Sequence, residues 1–411
     1  MTPIKQDLQV TDLQMGLLLG LAFGLFYSLM GLPMGRLVDG YNRRNLIIAA
    51  IVSWSLMTLM SGLAQNYTQL FLARMGVGIG EAVLAPAAWS MVSDMFPPER
   101  RARPISVIAI GSLCGGGLGF IASSGLLDAS SLNLFEGIPL LGGLAPWRTV
   151  LVLAGLPGLF IGALLLTVRE PARDRAVPGQ SPRGGDRPPA WREVALFIWR
   201  YRLSLGLVFL GAGLIVLTYY STVSWGPTVL VRHHGLSVSQ AGYLYGGFLL
   251  ISTVAGSYAG GALSDRQAAR GDHGVYLRVI TVCAAGIALS MSVMLLTSSM
   301  ISLVMCLTFY YFSYGLIQGP VIAYVHRLTP PTMRGLVSAL YLATVTVTGY
   351  VIGPSAVALV SASLPGGEHS LGRALALVCL AGSVSALLLC VLARKPSWKA
   401  LRAQQSISAA M

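Results

Sequence analysis

Eleven apolar runs, each long enough to cross a bilayer, leave this chain little choice of fold. They lie at about 14–36, 45–64, 69–94, 104–127, 147–168, 204–231, 238–263, 276–297, 300–326, 335–361 and 372–393. A helix needs about 20 residues to cross the hydrocarbon core. Inside that core the chain must satisfy its own backbone polar groups, which runs of this length do as helices. Charge agrees with this reading, since 10% of the 411 residues are charged, against about 25% in soluble domains. The pattern predicts an all-α polytopic membrane protein with the lipid bilayer as its main partner.

The formal net charge of +13 could suggest nucleic acid, but its distribution excludes that partner. Basic residues fill the short loops on one side. These are Arg36, Arg43 and Arg44; then Arg100, Arg101 and Arg103; then Arg169 through Arg202; and, further on, Arg266, Arg270, Arg278, Arg327, Arg334, Arg394, Lys395, Lys399 and Arg402. The opposite side carries only Lys5, Arg148, Arg232 and Arg373. Cytoplasmic loops hold the excess of Lys and Arg, so the C-terminus is expected in the cytoplasm. With eleven spans the N-terminus then falls outside. Residues 1–13 are polar and the run after them is a full span, so no cleavable signal peptide is expected. The expected location is a plasma membrane, the inner membrane of a bacterium.

A polar stretch rich in Pro, Gly and Arg divides the chain. Residues 1–168 are expected to form a five-span bundle, 169–203 a cytoplasmic linker, 204–394 a six-span bundle and 395–411 a cytoplasmic tail. The end of the linker, WREVALFIWRYR, reads as a short amphipathic helix on the membrane surface. The two halves echo each other. GRLVDGYNRR at 35–44 and GALSDRQAAR at 261–270 share Gly, Leu, Asp and Arg at the same offsets. MFPPERRAR at 95–103 and LTPPTMRGL at 328–336 align Pro97 and Pro98 with Pro330 and Pro331, and Arg101 with Arg334. Parallel repeats of this kind describe one large transporter architecture.

Within the third run, FLARMGVGIGEA places Arg74 and Glu81 in apolar surroundings. Ionised groups are costly there and persist where they line a cavity or find a partner. Seven residues put both on one helix face, roughly 10 Å apart along the axis, too far for a direct salt bridge. Glu81 is the carboxylate set deepest in a span. Carboxylates held out of water can exchange protons within the working pH range, so Glu81 is expected to couple protons and sense substrate. Arg74 is expected as a counter-charge or as an anchor for an anionic head group.

The loop motif and its echo resemble the signature of the major facilitator superfamily. ARMGVGIGEA (73–82), FPPERRAR (96–103), WGPTVLVRHHGLS (225–237), GGALSDR (260–266), TPPTMRG (329–335) and GPSA (353–356) resemble its spinster-like branch. Gly40 and Asn42 depart from the loop pattern, while Asp39, Arg43 and Arg44 keep it. The resemblance implies a two-bundle, major-facilitator-type fold that works by alternating access. It implies twelve spans, so the chain is expected to lack the first; a misassigned start codon is the leading explanation and a truncated product the alternative. It also implies a gating network of Asp39, Arg43, Arg44 and Arg101 with Asp94, echoed by Asp265. It makes Tyr219, Tyr220, Ser224 and Trp225 candidates for the cavity lining, with an interfacial belt as the other reading.

Gly111, Gly115 and Gly119 are expected to form a ridge for close helix packing. The five cysteines show no metal-ligand spacing, and His233 with His234 lacks a third ligand, so neither metal nor cofactor is expected. No GxxxxGK[ST] loop is present, which excludes ATP-driven transport by this chain. No Ser/His pair lies at membrane depth, so an enzyme is not expected. The function read here is secondary transport by a monomer. Its substrate is a small amphipathic or anionic organic solute, such as a lysolipid, a sphingoid phosphate or an organic acid, with protons as the coupling partner. A non-transporting, receptor-like or degenerate protein of the same fold is the alternative.

Overall fold

The computed structural model describes residues 2–410 except 97–101, 140, 172–190, 271–273, 297–298, 331–332 and 366–369. In the N-terminal half the helices are α1 (Thr2–Asp7), α2 (Asp12–Leu19), α3 (Phe26–Gly40), α4 (Arg43–Leu63), α5 (Tyr67–Glu81), α6 (Leu84–Met95), α7 (Ala102–Ser131) and α8 (Pro146–Leu165). After α9 (Trp191–Arg200) come α10 (Arg202–His234), α11 (Val238–Gly247), α12 (Val254–Ala269), α13 (Val275–Leu296) and α14 (Met300–Leu328). The last are α15 (Arg334–Thr346), α16 (Gly353–Ser363) and α17 (Ser370–Ala410). Among the described residues, 11 helical segments are long and apolar enough to cross a membrane. They match the eleven expected runs one for one, and their ends differ by a few residues.

Local sequence explains where these helices start and bend. Thr11 and Gln14 form a capping box at the head of α2, with the Thr11 backbone N–H donating to the Gln14 side chain at 2.8 Å. Asn42 caps α4 and Asn66 caps α5, each side-chain oxygen accepting from the backbone N–H three residues on. Three spans widen into a π-helical turn, at Leu21–Leu25, Phe248–Thr253 and Val347–Ile352. Such turns are rare and gather at functional sites.

The chain packs as two compact units that cut across the sequence halves. The first holds Met1–Asp174, Val223–Gly247 and Tyr350–Gly372; the second holds Arg175–Thr222, Phe248–Gly349 and Arg373–Met411. In the first unit, Val38, Ile47, Ala50, Ile51, Val83, Ala87 and Met91 make one buried cluster joining α3, α4 and α6. The arginine-poor ends of the later helices also belong here. Helix α11 lies against α7, and α16 lies against α2. Gly16, Gly20 and Gly24 make the second contact possible. A Cβ on Gly16 would come within 2.5 Å of the Ala358 side chain, and one on Gly24 within 2.7 Å of Tyr350.

The expected ridge at Gly111, Gly115 and Gly119 is corrected by this packing. A Cβ at any of the three would meet nothing within 4 Å among the described residues. The i, i+4, i+8 spacing identifies a smooth face but not what covers it. Gly16, Gly20 and Gly24, at the same spacing, are tightly covered.

In the second unit, a triangle of hydroxyls ties α10, α14 and α17 together. The Ser204 hydroxyl lies 2.6 Å from that of Tyr324 and 3.0 Å from that of Ser397, and the Tyr324 hydroxyl donates to Ser397 at 2.6 Å. Each of these buried polar groups therefore has a partner.

Candidate functional site

Arg74 and Glu81 sit on α5, and the span that carries them breaks just beyond Glu81. Pro86, in the first turn of α6, has no N–H to give the carbonyl four residues back, so the helix is interrupted at Ala82 and Val83. Glu81 thus ends α5 midway through the span Tyr67–Val92, and its side chain remains accessible to solvent-sized space. Gly78 lets the first span come close, since a Cβ there would lie 2.6 Å from the Phe23 carbonyl oxygen.

That approach builds an aromatic wall beside the charges. The Arg74 guanidinium lies 5.5 Å from the centre of the Phe23 ring, within range of a cation–π contact. Phe23 stacks on Tyr27 at 5.7 Å and tilts against Tyr350 at 5.4 Å. Phe23 and Tyr350 both lie in π-helical turns. Arg74 and Glu81 feel one another electrostatically, yet no carboxylate among the described residues forms an ion pair with Arg74. A guanidinium fork that no carboxylate among the described residues engages, an exposed carboxyl group and three aromatic rings thus lie together in the first unit.

The second unit holds a cluster of tyrosines. Tyr219 stacks on Tyr314 at 4.0 Å with rings nearly parallel, and meets Tyr220 and Tyr311 edge-on. Phe248, in the second of the π-helical turns, stacks on Tyr311 at 6.0 Å. The Tyr310 hydroxyl is 2.9 Å from Thr218, and Tyr311 donates to Thr222 at 3.2 Å. Trp225 belongs to the first unit. It is 1% exposed and donates its indole N–H to the Pro354 carbonyl at 2.9 Å. It packs α10 against α16, its indole N–H held by a buried carbonyl.

Of the expected gating residues, Arg43, Arg44 and Asp94 are brought together. Arg43 is 1% exposed and reaches Asp94, the Glu170 carboxylate at 2.9 Å, Ser90 through both its hydroxyl and its carbonyl, and the Pro171 carbonyl at 3.1 Å. The Arg44 backbone N–H donates to Glu170 at 2.8 Å. Partial burial alone would push the Glu170 pKa up. The Arg44 backbone N–H and the Arg43 side chain outweigh it and hold the carboxyl below its ordinary value. Arg101 and the side chains of Asp39 and Asp265 lie outside the described residues.

The arginine-poor ends carry a second ionic set. Arg232, on α10, grips Asp12, at the head of α2, with two hydrogen bonds of 2.9 and 3.0 Å, and Lys5 lies 3.0 Å from the same carboxylate. Asp7 accepts from the Trp147 indole at 3.0 Å and from Arg148 at 2.9 Å. Asp12 and Asp7 thus engage three of the four basic residues of that side. The Arg232 Nε is buried without a hydrogen-bond partner. Sequence reasoning missed Phe23, Tyr27, Tyr350, Asp7, Asp12 and Glu170. The available signal was charge balance for the acids, since Asp7 and Asp12 fall on a side that has few cations. The aromatics gave none, because a tyrosine in an apolar run looks like any other.

The chain belongs to the Major Facilitator Superfamily, whose pattern matches residues 1–354. Within it, the chain is similar to members of the spinster-like branch. It is 30% identical to an MFS-type efflux pump of Mycolicibacterium smegmatis over 396 residues, covering 92% of this chain and 83% of that protein. It is 30% identical to the human protein spinster homolog 1 over 237 residues, covering 56% of this chain and 41% of that protein. The fold matches a crystal structure of a bacterial homologue of the human lysosomal transporter Spinster, solved in an inward-facing and unoccupied conformation. That match has a TM-score of 0.78 at 25% identity and covers 97% of this chain and 91% of the other. A D-xylose–proton symporter, at 14% identity and a TM-score of 0.65, shares the fold. The protein is a multi-pass membrane transporter and not an enzyme.

Proposed function

We propose that this protein is a proton-coupled secondary transporter for a small amphipathic organic anion. The observation that carries the reading is the Arg74 guanidinium, held against Phe23 inside a span, with no carboxylate among the described residues paired to it. A cation inside a span is kept where it lines a cavity or meets a partner. Arg74 takes the anionic head through its fork, while Phe23, Tyr27 and Tyr350 cover the apolar body. Glu81, open and set mid-span, carries the proton. Tyr219 and Tyr220, in the tyrosine cluster of the second unit, also contact substrate during transport. Lysolipids, sphingoid phosphates and organic acids have this chemistry.

Transport proceeds by alternating access, with residues 1–168 and 204–394 as the two moving bundles. The packing of α11 on α7 and α16 on α2, with the Arg232–Asp12 grip, supports a state closed at the arginine-poor ends. The Arg43–Asp94–Glu170 network, together with Arg44, Arg101, Asp39 and Asp265, acts at the arginine-rich ends. The charge pattern supports a cytoplasmic side for those ends and for the C-terminus; the membrane is a bacterial inner membrane, and the protein acts as a monomer.

The test is uptake into liposomes under an imposed pH gradient, comparing wild type with Glu81→Gln. Gradient-driven uptake is expected to fall at least tenfold, about 1.4 kcal/mol or more of lost coupling, while exchange without a gradient persists. Equal gradient-driven uptake by both would sink the proton role of Glu81.

A further inference from the structure

A second pocket lies away from any transport chemistry, where α9, α10 and α17 meet in the second unit. It has a volume of about 330 Å³ and is lined by Arg200, Arg202 and Lys399 together with Tyr201 and Ser204. All three cations are exposed, and among the described residues none is paired with a carboxylate. Arg202 lies 4.5 Å from the Trp199 ring and donates to the Trp199 carbonyl at 2.9 Å; Arg200 lies 5.9 Å from the Tyr201 ring. Aromatic faces thus hold both guanidinium groups in place. The floor is rigid, because Ser204 belongs to the buried hydroxyl triangle with Tyr324 and Ser397.

The surroundings are as informative as the pocket. Along α9 and into α10, Val194 and Tyr201 are buried, while Leu196, Trp199 and Leu203 are 59%, 67% and 63% exposed. Trp398, one residue from Lys399, is 46% exposed. An apolar strip of this size in a membrane protein faces lipid, and exposed tryptophans mark the interface between acyl chains and head groups. Unpaired cations clustered at that depth suit a lipid phosphate.

We propose that this pocket binds the phosphate of an anionic phospholipid, with the acyl chains lying over Leu196, Trp199 and Leu203. Such a lipid fastens the end of the linker to the first and last helices of the second half. The site goes beyond the transport function and does not depend on it.

Native mass spectrometry of the delipidated full chain, titrated with phosphatidylglycerol or phosphatidylcholine, tests the proposal. Wild type is expected to retain phosphatidylglycerol preferentially. Each of Arg200→Gln, Arg202→Gln and Lys399→Gln is expected to weaken that retention about fivefold, the equivalent of roughly 1 kcal/mol per cation. All three residues are exposed, so the variants should keep the fold, which size-exclusion profiles would verify. Arg394→Gln, a neighbouring cation that does not line the pocket, is expected to retain the lipid as wild type does. Undiminished phosphatidylglycerol retention by the triple variant would overturn the proposal, as would an equal loss in Arg394→Gln. Binding of inorganic phosphate without a preference between the two lipids would assign the pocket to a soluble anion and overturn it too.

Discussion

Arg43 and Arg74 are both arginines drawn into the body of the first unit, and the protein treats them in opposite ways. Arg43 is saturated: its guanidinium reaches two carboxylates, a hydroxyl and two carbonyls. Arg74 has an aromatic ring beside it and a glutamate that it feels without touching. Saturation makes a charge into a structural rivet, since removing one partner strands the others without water. Incompleteness keeps a charge available to something that comes and goes. What separates a fastening from a site is therefore the count of unmet donors rather than the charge itself.

The sharpest way to break that contrast is to remove the rivet. Arg43→Ala leaves Asp94 and Glu170 facing each other without their cation, and should destabilise the protein by about 3–5 kcal/mol. Thermal unfolding in detergent reads this directly, and an unchanged midpoint would contradict the structural role. A smaller effect is expected at the opposite ends. Asp12→Asn leaves the nearly buried Arg232 with a neutral partner at a cost of about 1–3 kcal/mol. Opening at the arginine-poor side should increase, which can be read as faster maleimide labelling of a cysteine placed at the buried Ser124 in a cysteine-free background. Unaltered labelling would remove the Arg232–Asp12 pair from gating.

At the site itself, Arg74→Lys keeps the charge and loses the fork. KM for an anionic substrate should rise about tenfold, close to 1.4 kcal/mol, with the melting temperature unmoved. If lysine serves equally well, Arg74 contributes a charge rather than a shaped anchor. The smallest effect concerns pH. The folded-state pKa of Glu170 lies below its unfolded value, so its stabilisation is fully present above the unfolded value, about 4.3. It is lost as pH falls through the folded value. The wild-type melting midpoint should therefore drop over that acid window, and Glu170→Gln should flatten the drop. An identical profile in both would detach Glu170 from the rivet.

Trp225 shows why a residue's type carried less than its surroundings. As a tryptophan near tyrosines in an apolar run, it suited a cavity wall or a membrane belt equally well. Its indole N–H settles on the Pro354 carbonyl, a partner 129 residues away. Glu170 shows the reverse error: it was read as the start of a polar linker, yet its carboxylate closes the Arg43 network. The glycine ridges make the same point, because Gly16, Gly20 and Gly24 are covered while Gly111, Gly115 and Gly119 are open, at identical spacing.

By itself, the sequence determined the eleven helices, the side on which charge gathers and the helix face shared by Arg74 and Glu81. Each of these depends on local quantities: apolar length against bilayer thickness, charge in short loops, and 3.6 residues per turn. Only the tertiary structure decided which arginine is saturated, which glycines are covered, and that Phe23, Tyr27 and Tyr350 stand beside Arg74. Those outcomes depend on partners tens to hundreds of residues away, and no local periodicity records which helix will lie alongside.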